Sequence, residues 1–214
     1  MTRVILADDH SIIRDGLKQI LADTEDLAVT GEAANGHELM VLLRQDEWDI
    51  LVLDISMPGK SGLELIKQIR SEFTHLPILV LSMHLEDQYA LRALRSGAAG
   101  YITKDSDTDD LLTAIRKVAA GGMHISPHVA ELMAREYRND TQALPHTRLS
   151  DREYQVFEML ALGRGLSEIG TELSLSVKTV STHKTRILQK MEMTSTAEMV
   201  RYAVVHSLAN LPPD

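Results

Sequence analysis

Short apolar runs alternate with amphipathic segments over the first 120 or so residues of the chain. The runs Val4-Ile5-Leu6-Ala7 and Ile50-Leu51-Val52-Leu53 have the length and composition of strands buried in a parallel sheet. Strands are predicted near 3–7, 27–31, 49–53, 77–82 and 99–103. Helices are predicted near 11–22, 36–46, 62–72, 86–97 and 107–120. This alternation predicts a parallel sheet with right-handed crossovers and helices on both faces.

After this region the chain shows helical patterns and turn signals but no strand pattern. Gly121-Gly122 ends the fifth helix, and Pro127 suits the first turn of a further helix that extends to about Arg138. The polar segment 139–146 is predicted to be a linker. We therefore divide the chain into a first domain at 1–121, a linker with a helix at 122–147, and a second domain at 148–214.

The second domain is predicted to be all-helical. Two helices are expected to begin at capping boxes, in which a serine precedes a glutamate by three residues. These are Ser150 with Glu153 and Ser195 with Glu198. Between them, segments 166–173 and 177–191 predict two helices joined by a short turn, with Ser176 as the N-cap of the second. Two helices joined in this way are the helix-turn-helix signature.

Charge is distributed unevenly along the chain, whose net charge is −9. Residues 1–124 contain 12 basic and 20 acidic residues, whereas residues 125–214 contain 10 and 11. Segment 174–191 carries Lys178, Lys184, Arg186 and Lys190 and no acidic residue. Because the local field governs contact with a phosphate backbone, the acidic total does not exclude nucleic acid.

Composition also bears on location. The chain contains no cysteine, which excludes disulfides and cysteine-ligated zinc and fits a reducing cytoplasm. No apolar stretch approaches the roughly 18–20 residues that span a bilayer, and the first residues show no signal-peptide pattern. We expect a cytoplasmic protein without a membrane partner. A zinc site at His124 and His128 is disfavoured because Pro127 is predicted to start a helix between them.

Polar residues with complementary chemistry follow four of the predicted strands. Asp8 and Asp9 follow the first, Asp54 the third, Ser82 the fourth and Lys104 the fifth. The carboxyl ends of parallel strands form one edge, where ligands bind. A carboxylate can attack phosphorus, oxygen ligands suit Mg²⁺, and a lysine can neutralise a transferred anion. Taken singly, these residues could be helix caps, strand ends or surface charges; together they predict a phosphoryl-accepting site.

Residues 1–121 resemble the receiver domain of response regulators, which implies a flavodoxin-like (βα)5 fold with sheet order 2-1-3-4-5. The resemblance implies that Asp54 is phosphorylated and that Mg²⁺ is bound by Asp8, Asp9, Asp54 and the Ser56 main-chain carbonyl. It assigns the phosphoryl-binding and switch residues as Ser82, Tyr101 and Lys104, with Tyr101 moving inward on activation. Further residues match the loop after the acceptor or flank the phosphoryl group and tune autodephosphorylation. The loop residues are Pro58 and Gly59, and the flanking residues are Ser56 and His84.

The second helix of the predicted helix-turn-helix has one apolar stripe, and short hydroxyls and lysines cover the rest of its surface. Val180, Ile187 and Met191 form the stripe. Hydroxyls and lysines suit phosphates and base edges in a major groove. A basic amphipathic helix can also be simply a solvated face, but the preceding helix and turn favour DNA binding.

Residues 148–208 resemble the LuxR-type (NarL/FixJ-type) helix-turn-helix domain. The matching positions are Leu149, Arg152, Glu153, Val156, Gly163, Glu168, Ile169, Leu173, Ser176, Lys178, Thr179, Val180, His183, Ile187, Lys190 and Met191. The resemblance implies a four-helix domain that dimerises through its last helix, about Thr196–Leu208. The implied DNA-facing residues are Lys178, Thr179, Ser181, Thr182 and Lys184, with His183 and Lys190 near the DNA backbone. Gly170 departs from the family's usual alanine, which predicts a slightly looser helix.

Together these features predict a phosphorylation-controlled transcription regulator of a two-component system. A sensor histidine kinase would donate the phosphoryl group to Asp54, and the active homodimer would bind two DNA half-sites. Two alternatives remain: a phosphatase or phosphomutase with Asp54 as nucleophile, and an interaction module that is never phosphorylated. The first is disfavoured because such enzymes often carry a second aspartate where this chain has Ser56, so only slow autodephosphorylation is expected. The second is disfavoured by the intact acidic set.

Overall fold

The computed structural model describes residues 1–57, 62–83, 86–138, 144–206 and 208. Three residues singled out above, Pro58, Gly59 and His84, lie outside the described residues, as does the 139–143 part of the predicted linker. The chain divides into two compact units, Met1–Arg135 and Glu136–Asp214. In the described part of the chain, no helix combines the length and the apolar character needed to cross a membrane.

The first unit is built on a five-stranded parallel sheet with strand order β2-β1-β3-β4-β5, as predicted. The strands are β1 (Thr2–Ala7), β2 (Leu27–Ala33), β3 (Ile50–Leu53), β4 (Ile78–Ser82) and β5 (Gly100–Thr103). The intervening helices are α1 (Ser11–Ala22), α2 (Gly36–Gln45), α3 (Gly62–Glu72), α4 (Glu86–Ser96) and α5 (Thr108–Ala119). The largest difference from the prediction is at β2, which continues to Ala33 after a register shift opposite Val4 and Ile5.

Two apolar layers enclose the sheet. On one face, side chains of β1, β3, β4 and β5 pack with α1 and α5, including Leu21 and Ile115, which are fully buried. Because side chains alternate along a strand, Ile5 and Leu51 point to the opposite face. Buried residues of α2 and α3, such as Leu39, supply apolar surface for that second layer. The two layers fix the strand ends, and with them the edge that carries the polar residues.

The beginning of the predicted linker packs onto the first unit. The amide of Tyr101 donates to the His124 carbonyl at 3.1 Å, and the amide of His124 donates to Ala99 at 3.0 Å, so His124 forms a parallel bridge beside β5. Helix α6 (Pro127–Arg138) follows, with Val129 1% exposed. The division of the chain falls within α6, after residue 135 and inside the segment 122–147 that was predicted to link the two domains. The glycine pair marks the end of α5 but not the end of the packed unit.

The second unit is helical in its described residues, as predicted. A 3-10 turn (Pro145–Arg148) precedes α7 (Asp151–Ala161), α8 (Leu166–Glu172), α9 (Val177–Lys190) and α10 (Thr196–Val205). The capping box of Ser150 and Glu153 is present at α7. At α10, Ser195 accepts from the Glu198 amide as expected, while the Glu198 carboxylate accepts from the amide and hydroxyl of Thr194. In the second predicted capping box, the glutamate therefore accepts from the residue before the N-cap serine and not from the serine itself.

Candidate functional site

Two aspartates are buried side by side where β1 and β3 end. These strands are neighbours, with Ala7 paired to Leu53, so the residues that follow them are held next to each other. The Asp54 amide donates to the Ala7 carbonyl at 2.8 Å, which ties the two strand exits together. Asp8 and Asp54 are each only 2% exposed. Buried carboxylates require a compensating charge or hydrogen bonds, so this placement points to a functional partner.

Lys104 supplies that charge from the end of β5. Its Nζ lies 2.6 Å from Oδ2 of Asp54 and 2.6 Å from Oδ2 of Asp8, and its side chain is 5% exposed. Burial lowers the pKa of the Lys104 ammonium, but its hydrogen bonds to Asp54 and Asp8 outweigh burial and raise that pKa above its usual value. One cation therefore bridges two buried anions, which brings together three of the residues that the sequence singled out.

A wider set of ligand atoms surrounds the two buried aspartates. One ligand atom from each of Asp8, Asp9, His10 and Asp54 lies within 4.8 Å of the others. Asp9 is exposed, and the His10 Nδ1 lies 3.0 Å from its Oδ1 and 3.2 Å from Oδ1 of Asp8. Carboxylate oxygens are the ligands that Mg²⁺ prefers, and Lys104 shows that two of these carboxylates can share one cation. The donor set therefore fits Mg²⁺.

The sequence interpretation missed His10, although it directly follows Asp8 and Asp9 at the end of the strand. Its amide donates to Oδ1 of Asp8 at 2.8 Å, and it occupies the N-cap position of α1 without a side-chain cap hydrogen bond. The signal was available, because a histidine beside two carboxylates is a possible ligand. The interpretation assigned the acidic pair alone.

The remaining residues of the predicted pocket lie near Asp54 or along the same strand ends. The Ser56 amide donates to Oδ1 of Asp54 at 2.8 Å. Ser82 is fully buried, and its carbonyl accepts from the Lys104 amide at 2.8 Å. Tyr101 is 2% exposed, so its ring is already buried in this structure. The inward movement expected from the resemblance therefore does not start from an exposed ring here.

In the second unit, α9 presents a polar face beside an apolar stripe. Val180, Ile187 and Met191 are buried, as the sequence predicted. The hydroxyl of Ser176 caps α9 by accepting from the Thr179 amide at 3.1 Å. The residues predicted to face DNA are exposed or half-buried; these are Lys178, Thr179, Ser181, Thr182 and Lys184. The polar face is therefore open to a ligand within this unit.

Of the two residues predicted to lie near the DNA backbone, Lys190 contacts α7 and His183 is partly buried. The Lys190 Nζ lies 2.6 Å from Oε2 of Glu153, which belongs to the first turn of α7. The Nδ1 of His183 is buried and has no hydrogen-bond partner among the described residues. Burial lowers the pKa of the His183 imidazole, which disfavours a charged contact with phosphate. The buried Nδ1 of His183 thus differs from the exposed hydroxyls of Ser181 and Thr182, and Lys190 is exposed but paired with a carboxylate of α7.

Gly170 in α8 allows a close approach of the turn that follows. A Cβ added at Gly170 would lie 2.8 Å from the Leu175 carbonyl oxygen, closer than real Cβ contacts. The Leu175 amide donates to the Gly170 carbonyl at 2.7 Å. The glycine thus permits tight packing of the turn against the helix, in contrast to the looser helix that the sequence suggested.

The fold and the two sites define a class of protein: a receiver unit with a buried acidic pocket, followed by a helix-turn-helix unit. The family model of the response regulator receiver domain matches residues 4–116, and that of the luxR family of bacterial regulatory proteins matches residues 147–203. The chain belongs to the two-component response regulators of the NarL/FixJ type, and these are DNA-binding transcription regulators.

Relatives of known name match along nearly the whole chain. The oxygen regulatory protein NreC of Staphylococcus carnosus is 37% identical over 213 residues, which cover 96% of this chain and 98% of NreC. The response regulator GacA of Pseudomonas aeruginosa is 35% identical over 211 residues, which cover 98% of this chain and 99% of GacA.

Solved structures of RcsB from Salmonella match the fold of both units. One has a TM-score of 0.71 at 28% identity and covers 95% of this chain and 97% of RcsB. Another, RcsB bound to the promoter rprA in the presence of the phosphomimetic BeF3−, has a TM-score of 0.67 at 28% identity, with 94% and 97% covered.

Proposed function

We propose that Asp54 accepts a phosphoryl group from a sensor histidine kinase and that this modification controls DNA binding by α9. The observation that carries the proposal is the position of Lys104, whose ammonium lies 2.6 Å from both Asp54 and Asp8. This bridge places a positive charge where a phosphoryl oxygen would need it, beside a buried carboxylate nucleophile.

In the transfer step, a carboxylate oxygen of Asp54 attacks phosphorus. A P–O bond forms to Asp54 while the bond from phosphorus to the phosphohistidine nitrogen breaks, and the leaving nitrogen keeps the electron pair. The Ser56 amide, 2.8 Å from the other carboxylate oxygen, orients the nucleophile. Lys104 and the Ser82 hydroxyl then stabilise the charge on the transferred group. Catalysis of this kind rests on positioning and charge stabilisation.

The residues proposed to hold Mg²⁺ are Asp8, Asp9, Asp54 and the Ser56 main-chain carbonyl. When bound, the ion reduces the repulsion between the acceptor carboxylate and an anionic phosphoryl donor. Lys104 can bridge Asp8 and Asp54 in the absence of the ion because those two carboxylates already lie within reach of one cation.

The added phosphoryl group shifts an equilibrium between two states of the receiver, in which Ser82, Tyr101 and Lys104 take part. We further propose that the active protein is a homodimer that pairs through α10 and binds two DNA half-sites in the cytoplasm. Lys178, Thr179, Ser181, Thr182 and Lys184 would contact DNA, with His183 and Lys190 at the margin of that surface. Slow autodephosphorylation, tuned by Ser56 and His84, would return the receiver to its resting state.

Phosphorylation is tested with acetyl phosphate and Mg²⁺, followed by intact mass. The wild-type chain is expected to gain the mass of one phosphoryl group, and Asp54→Ala is expected to gain none. Asp105→Ala, which removes an exposed carboxylate close to Lys104 in the sequence, is the matched control and should be labelled normally. Labelling of Asp54→Ala at the wild-type level would overturn the assignment. Many rapid rounds of phosphate release would favour a phosphatase.

DNA binding is tested through its dependence on salt. In the protein phosphorylated with acetyl phosphate, combined Lys178→Ala and Lys184→Ala substitutions are expected to reduce the slope of log affinity against log salt by about 0.9 for each phosphate contact that is lost. Exposed Lys67 in α3 of the receiver provides the control, since Lys67→Ala should leave the slope unchanged. A wild-type slope in the double variant would show that these lysines do not contact the DNA backbone.

A further inference from the structure

Adjacent residues in the first turn of α7 contact both helices of the helix-turn-helix. Arg152 donates from Nη2 to the Leu173 carbonyl at 2.5 Å, at the C-cap of α8. Glu153 accepts from the Nζ of Lys190 at 2.6 Å, in the last turn of α9. The ends of α8 and α9 are therefore both attached to one turn of a third helix.

One oxygen of the Glu153 carboxylate, Oε2, accepts two hydrogen bonds. Glu153 is 4% exposed. Besides the Lys190 ammonium, its Oε2 accepts a hydrogen bond from the Ser150 amide at 2.8 Å, as part of the N-terminal cap of α7. Burial raises the pKa of the Glu153 carboxyl, but the hydrogen bonds from Lys190 and Ser150 outweigh burial and lower that pKa below its usual value. A charged carboxylate in this place requires its lysine, because an unpaired buried charge is costly.

Lys190 occupies a different side of α9 from Lys178, although both lysines are exposed. At about 100° of rotation per residue, Lys178 lies opposite the fully buried Ile187, whereas Lys190 lies roughly 60° from it. The Lys190 side chain is 42% exposed, and its ammonium is bound to a carboxylate of α7. The Lys190 side chain thus makes a contact between α9 and α7, whereas Lys178 lies on the exposed polar face of α9.

We propose that Arg152 and Glu153 are positioning residues that fix the recognition helix α9 relative to α8, and that Lys190 acts on DNA affinity through Glu153 and not through a phosphate contact. This inference rests on the proposed DNA-binding role of α9 and reassigns one of its marginal residues. The ion pair of Glu153 with Lys190 sets the orientation in which the exposed face of α9 meets the DNA groove. Loss of either partner would reduce affinity without removing a phosphate contact.

The test uses the full chain, phosphorylated with acetyl phosphate and Mg²⁺ present throughout, and a labelled mixed-sequence DNA duplex, with anisotropy measured between about 50 and 200 mM salt. The variants are Lys190→Met, Glu153→Gln, their combination, Lys190→Arg and, as the matched lysine on the opposite side of the helix, Lys178→Met. Binding is measured at a temperature at which circular dichroism shows each variant to be folded. A purely structural role would lower the melting temperature but leave the affinity of the folded protein unchanged.

Lys190→Met and Glu153→Gln are each expected to lower affinity about tenfold at every salt concentration, with a wild-type salt slope. The combined variant should bind no worse than either single variant, and Lys190→Arg should retain most of the affinity. Lys178→Met should instead reduce the slope by about 0.9. If Glu153→Gln does not fold, Lys190→Met and Lys190→Arg carry the test.

A reduced slope in Lys190→Met, equal to that in Lys178→Met, would overturn the inference and make Lys190 a phosphate contact. Wild-type affinity in folded Lys190→Met would overturn it as well. Failure of the wild-type chain treated with acetyl phosphate and Mg²⁺ to bind the duplex under any of these conditions would overturn the proposed function, and this inference with it.

Discussion

Replacing Lys104 by methionine tests whether its ammonium holds the acidic pocket together before phosphorylation. Methionine keeps most of the length of the side chain and removes the charge. Asp8 and Asp54, each 2% exposed, would then face each other without the cation that lies 2.6 Å from both. We expect Lys104→Met to destabilise the receiver unit in the presence of EDTA.

The magnitude follows from the geometry of the bridge. At an effective dielectric constant of about 20, unit charges 2.6 Å apart attract by roughly 6 kcal/mol, and desolvation of both ions opposes this gain. Removal of one partner of a buried ion pair typically costs about 3–5 kcal/mol. We therefore expect the free energy of unfolding to fall by about 4 kcal/mol, a large part of the stability of an ordinary domain.

Urea denaturation followed by tryptophan fluorescence measures this loss, because Trp48 is the single tryptophan of the chain and lies in the receiver unit. Its ring packs so closely on Gly31 of β2 that an added Cβ there would lie 2.4 Å from it, so its emission follows unfolding of the sheet edge. Lys67→Met, which removes an exposed lysine of α3, should change stability by less than about 0.5 kcal/mol.

Addition of Mg²⁺ provides a second arm of the same experiment. At the proposed metal site, a divalent cation would compete with Lys104 for the carboxylates of Asp8 and Asp54, so Mg²⁺ should stabilise Lys104→Met more than it stabilises the wild type. At a concentration of about 100 times the dissociation constant, binding contributes roughly 2.7 kcal/mol. A loss below about 1 kcal/mol in EDTA, or an equal gain from Mg²⁺ in both proteins, would refute the bridging role of Lys104.

Three further predictions concern other parts of the chain. Gly170→Ala should lower the stability of the second unit by about 1 kcal/mol, because the new methyl group meets the Leu175 carbonyl; a raised melting temperature by circular dichroism would contradict this. The hydrogen bond from Arg3 lowers the pKa of the Asp46 carboxyl from 3.8 to about 2, so its contribution to stability is present above pH 3.8 and is lost as pH falls through about 2. In Arg3→Ala, an NMR titration should show that pKa returning towards 3.8, and an unchanged value would exclude Arg3 as the cause. Ser195→Ala should cost about 1 kcal/mol in urea denaturation through loss of the α10 cap, whereas Ser195→Asp should retain the stability.

The sheet and the buried pocket were predictable because the signals are local. Each strand is a short apolar run, and each pocket residue directly follows such a run, so the topology of a parallel sheet is enough to bring Asp8, Asp54 and Lys104 to one edge. The capping box at Ser150 and the N-cap at Ser176 are likewise set by residues within one turn. Strand runs, strand-end residues and N-caps were therefore predicted correctly, because each depends on residues that are close together in the sequence.

Contacts between distant elements were not predictable in this way. The pair of Lys190 with Glu153 joins residues 37 apart in the chain, and nothing in the charge pattern of α9 distinguishes Lys190 from its exposed neighbours. The role of Gly170 depends on how closely a turn returns to its helix, which helix propensity alone does not describe. The packing of the start of the predicted linker on the first unit was missed for the same reason, since His124 pairs with a strand that ended about twenty residues earlier.

The bridge at His124 has a mechanical consequence. His124 is hydrogen-bonded to Tyr101 of β5, which lies three positions before Lys104. Helix α6 begins three positions after His124. The segment just before α6 is thus hydrogen-bonded to β5, the strand that is followed by Lys104 of the acidic pocket. A displacement of β5 by a fraction of an ångström would be passed to α6 through two backbone hydrogen bonds. A change that removes the His124 amide would break one of these two hydrogen bonds and weaken the connection between β5 and α6.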